Sequence, residues 1–266
     1  MIQPPLQRNS AAFFDLDKTI LATSSSIALQ SSFVDAGLLS RRAAAMSVLV
    51  HLPYLLKGAD EKRMDKMAEA IGDLAKGMNA SLLEATVESS IGHAINPVCF
   101  TQALEEIQFH HDQMRPVVVA SASVIEIVRP IGKMLGADAC LGSIAEVNDD
   151  GEYTGTVLHY NQATNKAAAC EELAAKRGWN MDECWAYSDS VSDIPLLSAV
   201  GHPIAVNPDK GLREAAVKNG WEIMRFTSTA AVHRTIPTPS RRTLAMIGAG
   251  VAIGAAAVGY VTAKRA

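Results

Sequence analysis

The sequence has few cysteines, and none of them has the spacing of a metal site or a redox motif. Cys99, Cys140, Cys170 and Cys184 are scattered along the 266 residues, with no C-x-x-C pair. No two histidines have the spacing of a zinc protease. This pattern argues against a structural zinc and a disulfide framework, and it is typical of buried thiols in a reducing compartment.

Basic clusters and a signal sequence are also missing. The 24 Lys and Arg are outnumbered by 28 Asp and Glu, and no Lys/Arg-rich face stands out. We therefore expect no nucleic-acid partner. The first ten residues hold no apolar core of signal-peptide length, so we expect the folded part to lie in the cytoplasm.

Strand patterns are nearly absent from residues 24–111, where runs with helical periodicity end at Gly. From Pro116 onward strands and helices alternate, which predicts an α/β fold: a parallel sheet covered by helices. The first strand is expected at residues 11–15, and Asp150-Gly151 predicts the turn of a small hairpin. Helices are expected near 124–135 and 165–177. The other predicted strands are VVVASAS, ACLGSIAEV, EYTGTVL, CWAYSD and PIAVN.

These patterns predict a discontinuous core with an inserted domain. We assign residues 9–22 and 113–232 to the α/β core and residues 23–112 to an all-helical cap. A linker at residues 233–242 contains the PTPS run.

The uncharged run TLAMIGAGVAIGAAAVGYVT, residues 243–262, has the length of a membrane-spanning helix. We expect it to anchor the protein on the cytoplasmic face of the membrane. The alternative is an apolar helix that docks on the core or on a partner. Gly250 and Gly254 form a G-x-x-x-G pair, which could bring two copies together as a homodimer.

The stretch FFDLDKT places Asp15 and Asp17 directly after an apolar run. At the end of a strand, residues i and i+2 point the same way, so the two carboxylates crowd each other. A divalent cation would relieve that crowding, and hard oxygen ligands suit Mg²⁺. Other polar side chains follow apolar runs or begin a helix, and would meet at the same edge of the sheet. They are Ser121, Lys166, Asp189 and Asp193.

In this order the motifs resemble those of the haloacid dehalogenase-like (HAD) phosphohydrolases. FFDLDKT is similar to the first motif, D-x-D-x-T, and YSDSVSDIPLL to the fourth. The helical insertion resembles the phosphoserine-phosphatase-like HAD-IB branch. The resemblance implies a Rossmann-like core and a Mg²⁺-dependent phosphomonoester hydrolase.

The resemblance also implies roles for single residues. Asp15 would be the nucleophile that forms an aspartyl-phosphate, and Asp17 the general acid and base. Asp15 and Asp189 would bind Mg²⁺ by side chain, and Asp17 by its backbone carbonyl. Asp193 would orient a metal-bound water or brace Lys166.

For the phosphate and the substrate, the implied ligands are hydroxyls and a lysine. Ser121 and Lys166 would hold the phosphoryl oxygens, with Ser123 as the alternative to Ser121. Ser24 stands where phosphoserine phosphatases of this branch usually carry a Glu that holds the substrate's ammonium group. That difference favours an uncharged or sugar-like alcohol, or a lipid headgroup, over free phosphoserine.

Three other functions share part of the pattern. The D-K-T of residues 17–19 resembles that of P-type ion pumps, which would make Asp17 the nucleophile. A phosphotransferase would carry every motif of the hydrolase. A membrane-tethered scaffold could keep the fold without turnover, but no motif residue is lost.

Overall fold

The computed structural model describes residues 9–39, 72–73 and 75–229. Residues 40–71 and 74 of the predicted cap lie outside this part, as do the predicted linker at 233–242 and the predicted anchor at 243–262. Among the residues that are described, no helix is both long enough and apolar enough to cross a bilayer.

The core is a seven-stranded sheet in the order β4-β3-β2-β1-β5-β6-β7. All neighbouring strands are parallel except β3 and β4, which form an antiparallel pair. The strands are β1 Ala12–Phe14, β2 Val117–Val124, β3 Ala139–Val147, β4 Tyr153–His159, β5 Trp185–Ser188, β6 His202–Val206 and β7 Glu222–Met224. The predicted parallel α/β sheet is therefore confirmed.

Eight α-helices have both of their ends in the described part of the chain. They are α1 Ser25–Ala28, α2 Gln30–Asp35, α3 Ala80–Ser90, α4 Thr101–Asp112, α5 Ile125–Leu135, α6 Thr164–Arg177, α7 Ile194–Ala199 and α8 Lys210–Asn219. Helices α5 and α6 end at Gly136 and Gly178, whose φ angles of 74° and 72° lie in the left-handed region that glycine adopts without strain.

The central strand β1 is buried on both faces because its three residues are apolar and alternate between two helical layers. Phe14 packs in the same cluster as Ile107 of α4 and Ile131 of α5. Phe13 packs on the opposite face with Leu196 of α7. Each fully buried phenylalanine contributes roughly 1.5–3 kcal/mol of transfer free energy. This burial holds β1 in place, and with it Asp15, which follows the strand.

The β3–β4 connection confirms the predicted hairpin turn. Gly151 has a φ of 80°, and the Asn148 side chain accepts hydrogen bonds from the backbone N–H groups of Asp150 and Glu152. The turn also contacts the start of α3, because the backbone N–H of Ala80 donates to the carbonyl of Gly151.

Most of the described residues of the predicted cap are helical. Helices α1, α2 and α3 are followed by a π-helical turn at Ile91–Ile95 and a 3₁₀ turn at Asn96–Val98. Helix α4, which the sequence analysis assigns to the cap, packs on the sheet: its Ala103 and Ile107 belong to the core cluster of Phe14.

Candidate active site

Three strands that lie side by side deliver polar groups to the same edge of the sheet. Because β2, β1 and β5 are adjacent and parallel, their carboxyl ends meet there. Asp15 follows β1, Ser121 lies in the last half of β2, and Asp189 follows β5. Asp15 is anchored to β5 by a 2.9 Å hydrogen bond from its backbone N–H to the carbonyl of Tyr187.

Lys166, in the first turn of α6, connects this edge to the fourth motif. Its Nζ donates to Oδ1 of Asp15 at 2.8 Å and to Oδ2 of Asp193 at 2.9 Å. All three side chains are buried, and Lys166 is 2% exposed. Asp193 Oδ2 also accepts a 2.6 Å hydrogen bond from the Ser188 hydroxyl. Of the two roles expected for Asp193, bracing Lys166 is the one visible in these contacts.

The carboxylates at this edge are crowded and poorly solvated. Burial raises the pKa of Asp15 to about 7, against the opposing effect of Lys166. Burial, followed by the charge of Asp15, raises the pKa of Asp189 to about 8. Burial disfavours the Lys166 ammonium, but Asp15 and Asp193 outweigh that effect and raise its pKa. The lysine is therefore a permanent positive charge beside the proposed nucleophile.

The Asp17 carboxylate is held at both oxygens. Oδ1 accepts a 2.7 Å hydrogen bond from the backbone N–H of Ser25, and Oδ2 accepts from the Ser123 hydroxyl at 3.4 Å. Lys18 follows with a φ of 63°, a strained conformation of the kind found at functional sites. Burial raises the pKa of Asp17, which favours the protonated form that a general acid requires.

The end of β2, which carries Ser121, is braced from two sides. Ser143 donates to the carbonyl of Ala122 at 2.6 Å, and the Asn161 amide donates to the carbonyl of Ser121 at 2.9 Å. The backbone N–H of Ser123 donates to the Ser121 hydroxyl at 3.1 Å. Ser121 is 1% exposed, so its hydroxyl is held in one place before any substrate arrives.

The loop after β5 is anchored by Asp209, the N-cap of α8. Its backbone N–H donates to the carbonyl of Asp189 at 2.8 Å. Its carboxylate accepts from the backbone N–H groups of Val191 at 2.9 Å and Leu212 at 2.8 Å. These contacts fix the position of Asp189 relative to β6.

Ser24, the predicted substrate ligand, is the N-cap of α1. Its hydroxyl accepts from the backbone N–H of Ile27 at 3.4 Å and lies 3.2 Å from the Ser26 hydroxyl. Its side chain is partly exposed. Of the three consecutive serines 24–26, it is Ser25 that donates to Asp17.

A divalent cation fits the chemistry of these groups. No group of three or more His, Cys, Asp or Glu in the described ranges is arranged to hold a metal ion. Mg²⁺, however, is commonly held by one or two carboxylates, with water and substrate phosphate filling the rest of its shell. The charge of Asp15 raises the pKa of Asp189, and a bound cation would oppose that effect. One further acceptor at this site, Asp193 Oδ1, is buried without a hydrogen-bond partner in the described part.

Several residues support the site by hydrogen bonds that the sequence did not predict. Ser25, Asn161 and Asp209 contact the predicted site residues but stand outside the motifs, whereas Ser188, which donates to Asp193, lies inside the fourth motif. The SDSVSDIPLL and PIAVNPD runs contain Ser188 and Asp209 beside strand ends, which is the only signal that could have suggested a role.

A profile of the haloacid dehalogenase-like hydrolases matches residues 12–198. A probable phosphatase of Mycobacterium tuberculosis is 42% identical over 95% of this chain and 88% of its own length. A phosphoserine phosphatase of the same species is 33% identical over 94% of this chain and 81% of its own. A substrate-bound phosphoserine phosphatase structure has a TM-score of 0.57 at 20% identity, covering 82% of this chain and 92% of that one; at this identity the likeness concerns the fold.

Proposed function

The chain belongs to the haloacid dehalogenase-like hydrolases, and we propose that it is a Mg²⁺-dependent phosphatase that hydrolyses phosphomonoesters through an aspartyl-phosphate on Asp15. The observation that carries this proposal is the buried Lys166, which bonds Asp15 and Asp193 at once. A lysine confined between two acids is costly to bury, since each ion must lose its hydration. The arrangement is useful in a site that binds a phosphoryl group beside a nucleophilic carboxylate, because the lysine supplies positive charge there.

In the first step of the proposed reaction, a carboxylate oxygen of Asp15 attacks phosphorus and the bond to the leaving oxygen breaks. Asp17 gives its proton to that oxygen, so the alcohol leaves neutral. Lys166 and the Ser121 hydroxyl bind the phosphoryl oxygens, on which negative charge shifts during transfer. In the second step, Asp17 takes a proton from water, whose oxygen attacks phosphorus. The bond between phosphorus and Asp15 breaks, which releases inorganic phosphate and regenerates the Asp15 carboxylate.

Mg²⁺ would be held by the carboxylates of Asp15 and Asp189 and by the backbone carbonyl of Asp17. When bound, it supplies positive charge to the phosphate and keeps the acids ionised. Asp193 would support the site through Lys166 and through its unpartnered Oδ1.

For the substrate we propose a small phosphate ester of an alcohol. Two relatives are named phosphatases, one of them a phosphoserine phosphatase. Ser24 cannot pair with a substrate ammonium as a carboxylate would, so we favour an uncharged or sugar-like alcohol over phosphoserine. Transfer to an acceptor alcohol in place of water would use the same residues.

The proposed location of the protein rests on the sequence alone. Residues 243–262 would anchor the catalytic part at the cytoplasmic face of a membrane, and the Gly250–Gly254 pair could support a homodimer. A lipid phosphate would then be within reach of the site, and it is the second substrate class. A tethered scaffold without turnover is the non-enzymatic alternative.

Purified protein and a panel of sugar, amino-acid and lipid phosphomonoesters test this proposal, with phosphate release measured with Mg²⁺ and after exhaustive chelation. We expect hydrolysis that chelation stops and Mg²⁺ restores, with Ca²⁺ a poor substitute because its coordination is looser. Hydrolysis that survives chelation would overturn the metal assignment, and no hydrolysis of any ester would favour the scaffold.

Metal binding has a second readout that needs no turnover. Asp15 and Asp189 have pKa values raised to about 7 and about 8, so Mg²⁺ must displace protons below those values. The rise in melting temperature on adding Mg²⁺ should therefore be larger at pH 8.5 than at pH 6. Asp189→Asn should abolish the rise at both pH values, and a rise that is unchanged in that variant would contradict the assignment.

A further inference from the structure

Ser123 makes two side-chain contacts that a phosphate-binding role does not require. Its hydroxyl lies 3.4 Å from Asp17 Oδ2, to which it donates, and 3.2 Å from the Ser25 hydroxyl. A serine hydroxyl has one proton. If Ser123 gives that proton to Asp17, then Ser25 must be the donor to Ser123. The chain of donors therefore runs from Ser25 through Ser123 to the Asp17 carboxylate.

Ser25 closes this chain into a ring around Asp17. Its backbone N–H donates to Asp17 Oδ1 at 2.7 Å, while its hydroxyl supports Ser123. With one donor on each oxygen, the carboxyl group cannot turn about its last torsion without breaking a hydrogen bond. Ser25 is fully buried, so water cannot readily replace its donors.

The frame that carries Ser123 is rigid. Its backbone N–H bonds the Ser121 hydroxyl, and the preceding carbonyls accept from Ser143 and Asn161. The Ser121 hydroxyl and the Asp17 carboxyl are thus tied to one short segment, the last residues of β2.

We propose that Ser123, supported by Ser25, is a positioning residue that aims the Asp17 carboxyl at the leaving oxygen of the substrate. This inference rests on the proposed function, in which Asp17 protonates that oxygen as the bond to phosphorus breaks. The fall in kcat/KM when this positioning is lost depends on the leaving group. A poor leaving group needs the proton from Asp17, whereas a stable phenolate does not.

The test compares kcat/KM for two esters, because this ratio reports the steps up to transfer of phosphorus to Asp15. The esters are β-glycerol phosphate, with a poor leaving group, and 4-nitrophenyl phosphate, with a good one. In Ser123→Ala we expect kcat/KM for β-glycerol phosphate to fall about tenfold, part of the roughly 10²–10⁴-fold that proton transfer supplies. The value for 4-nitrophenyl phosphate should change by less than about twofold, since it draws little on that proton.

Two further variants separate positioning from damage to the fold. Ser123→Thr keeps the hydroxyl and should restore the ratio between the two esters. Ser89→Ala removes an exposed hydroxyl that donates to a carbonyl of α3 and should leave the ratio unchanged. The ratio is measured on one preparation, so a smaller folded fraction lowers both values equally and cancels.

A double variant identifies Asp17 as the target. In an Asp17→Asn background, Ser123→Ala should have no further effect on the ratio, because the two residues act as one unit. An equal fall for both esters in Ser123→Ala would overturn the proposal and place Ser123 at the phosphate. A wild-type protein that hydrolyses neither ester, or any other, would refute the proposed function itself, whereas an active wild type with an unaltered ratio in Ser123→Ala refutes only this inference.

Discussion

Lys166 stabilises the acidic side chains that lie close together at the site. It is buried and bonds Asp15 and Asp193 at 2.8 and 2.9 Å. Without it, Asp15, Asp193 and Asp189 would be neighbouring carboxyls with little access to water. Asp15 would then favour its protonated form, which is not a nucleophile.

Replacing Lys166 with Met should therefore destabilise the protein as well as inactivate it. Breaking a buried ion pair by removing one partner costs roughly 3–5 kcal/mol of unfolding free energy. The loss, measured by urea denaturation without Mg²⁺, should be smaller at pH 5 than at pH 8, because protonated carboxyls need no cation. Lys176→Met is the matched control, since Lys176 and Glu172 form an exposed pair that should contribute little. Equal stability of the two variants at pH 8 would contradict the account.

Among single residues, the sequence predicts the site residues that follow strands. It does not predict the residues that hold these site residues in position by hydrogen bonds. Asp15 and Asp189 follow apolar runs, and the rule that strand ends share one edge brings them together. Ser25 and Asp209 act partly through backbone N–H groups, which every residue has. Ser24, Ser25 and Ser26 are identical in type, so only the helix start at Ser24 decides which of them meets Asp17.

At the scale of elements, α4 is tied to the sheet by a buried polar chain. Arg115 donates to His110 Nδ1, His110 Nε2 bonds the Tyr187 hydroxyl at 2.9 Å, and that hydroxyl donates to Glu106 at 3.0 Å. Because Arg115 can only donate, His110 must be neutral at Nδ1, and its proton sits on Nε2. Burial, followed by the charge of Arg115, lowers the pKa of His110 to about 3.

This histidine should make the fold sensitive to acid. In the unfolded chain His110 takes up a proton near pH 6.5, whereas in the folded protein it does so only near pH 3. Between these values the unfolded state binds more protons, so stability falls as pH falls, by up to about 1.4 kcal/mol per pH unit.

The measurement is the unfolding free energy of the wild type and of His110→Gln between pH 7 and pH 4. The wild type should be the more stable at pH 7, and its advantage should shrink as pH falls. Other titrating groups are common to both proteins and cancel in the difference. Parallel curves would show that His110 does not stay neutral in the fold.

The elements of the core were largely predictable because their apolar runs are short and bounded by polar residues. The strand over ACLGSIAEV was predicted as observed, at Ala139–Val147, and the helix predicted at 165–177 is observed at Thr164–Arg177. The packing of α4 on the sheet was not predictable in this way. Its pattern is helical like that of its neighbours in sequence, and periodicity does not say which domain a helix face will meet.

At the scale of the whole molecule, the sequence predicts an anchor that the described residues do not include. Deleting the chain after Ser240 removes the proposed anchor at residues 243–262. We expect full-length protein in the membrane fraction of expressing cells and the truncated form in the soluble fraction, with equal turnover of a water-soluble phosphate ester. Full-length protein that remains soluble without detergent would refute the anchor.

The whole account depends on Asp15 as the nucleophile. The most direct measurement is an acid quench during turnover of a phosphomonoester, followed by mass spectrometry of the peptides to find the phosphorylated residue. We predict phosphate on Asp15 in the wild type and none in Asp15→Asn, which should also lose turnover because an amide cannot attack phosphorus. Phosphate on Asp17, or full turnover by Asp15→Asn, would contradict the account.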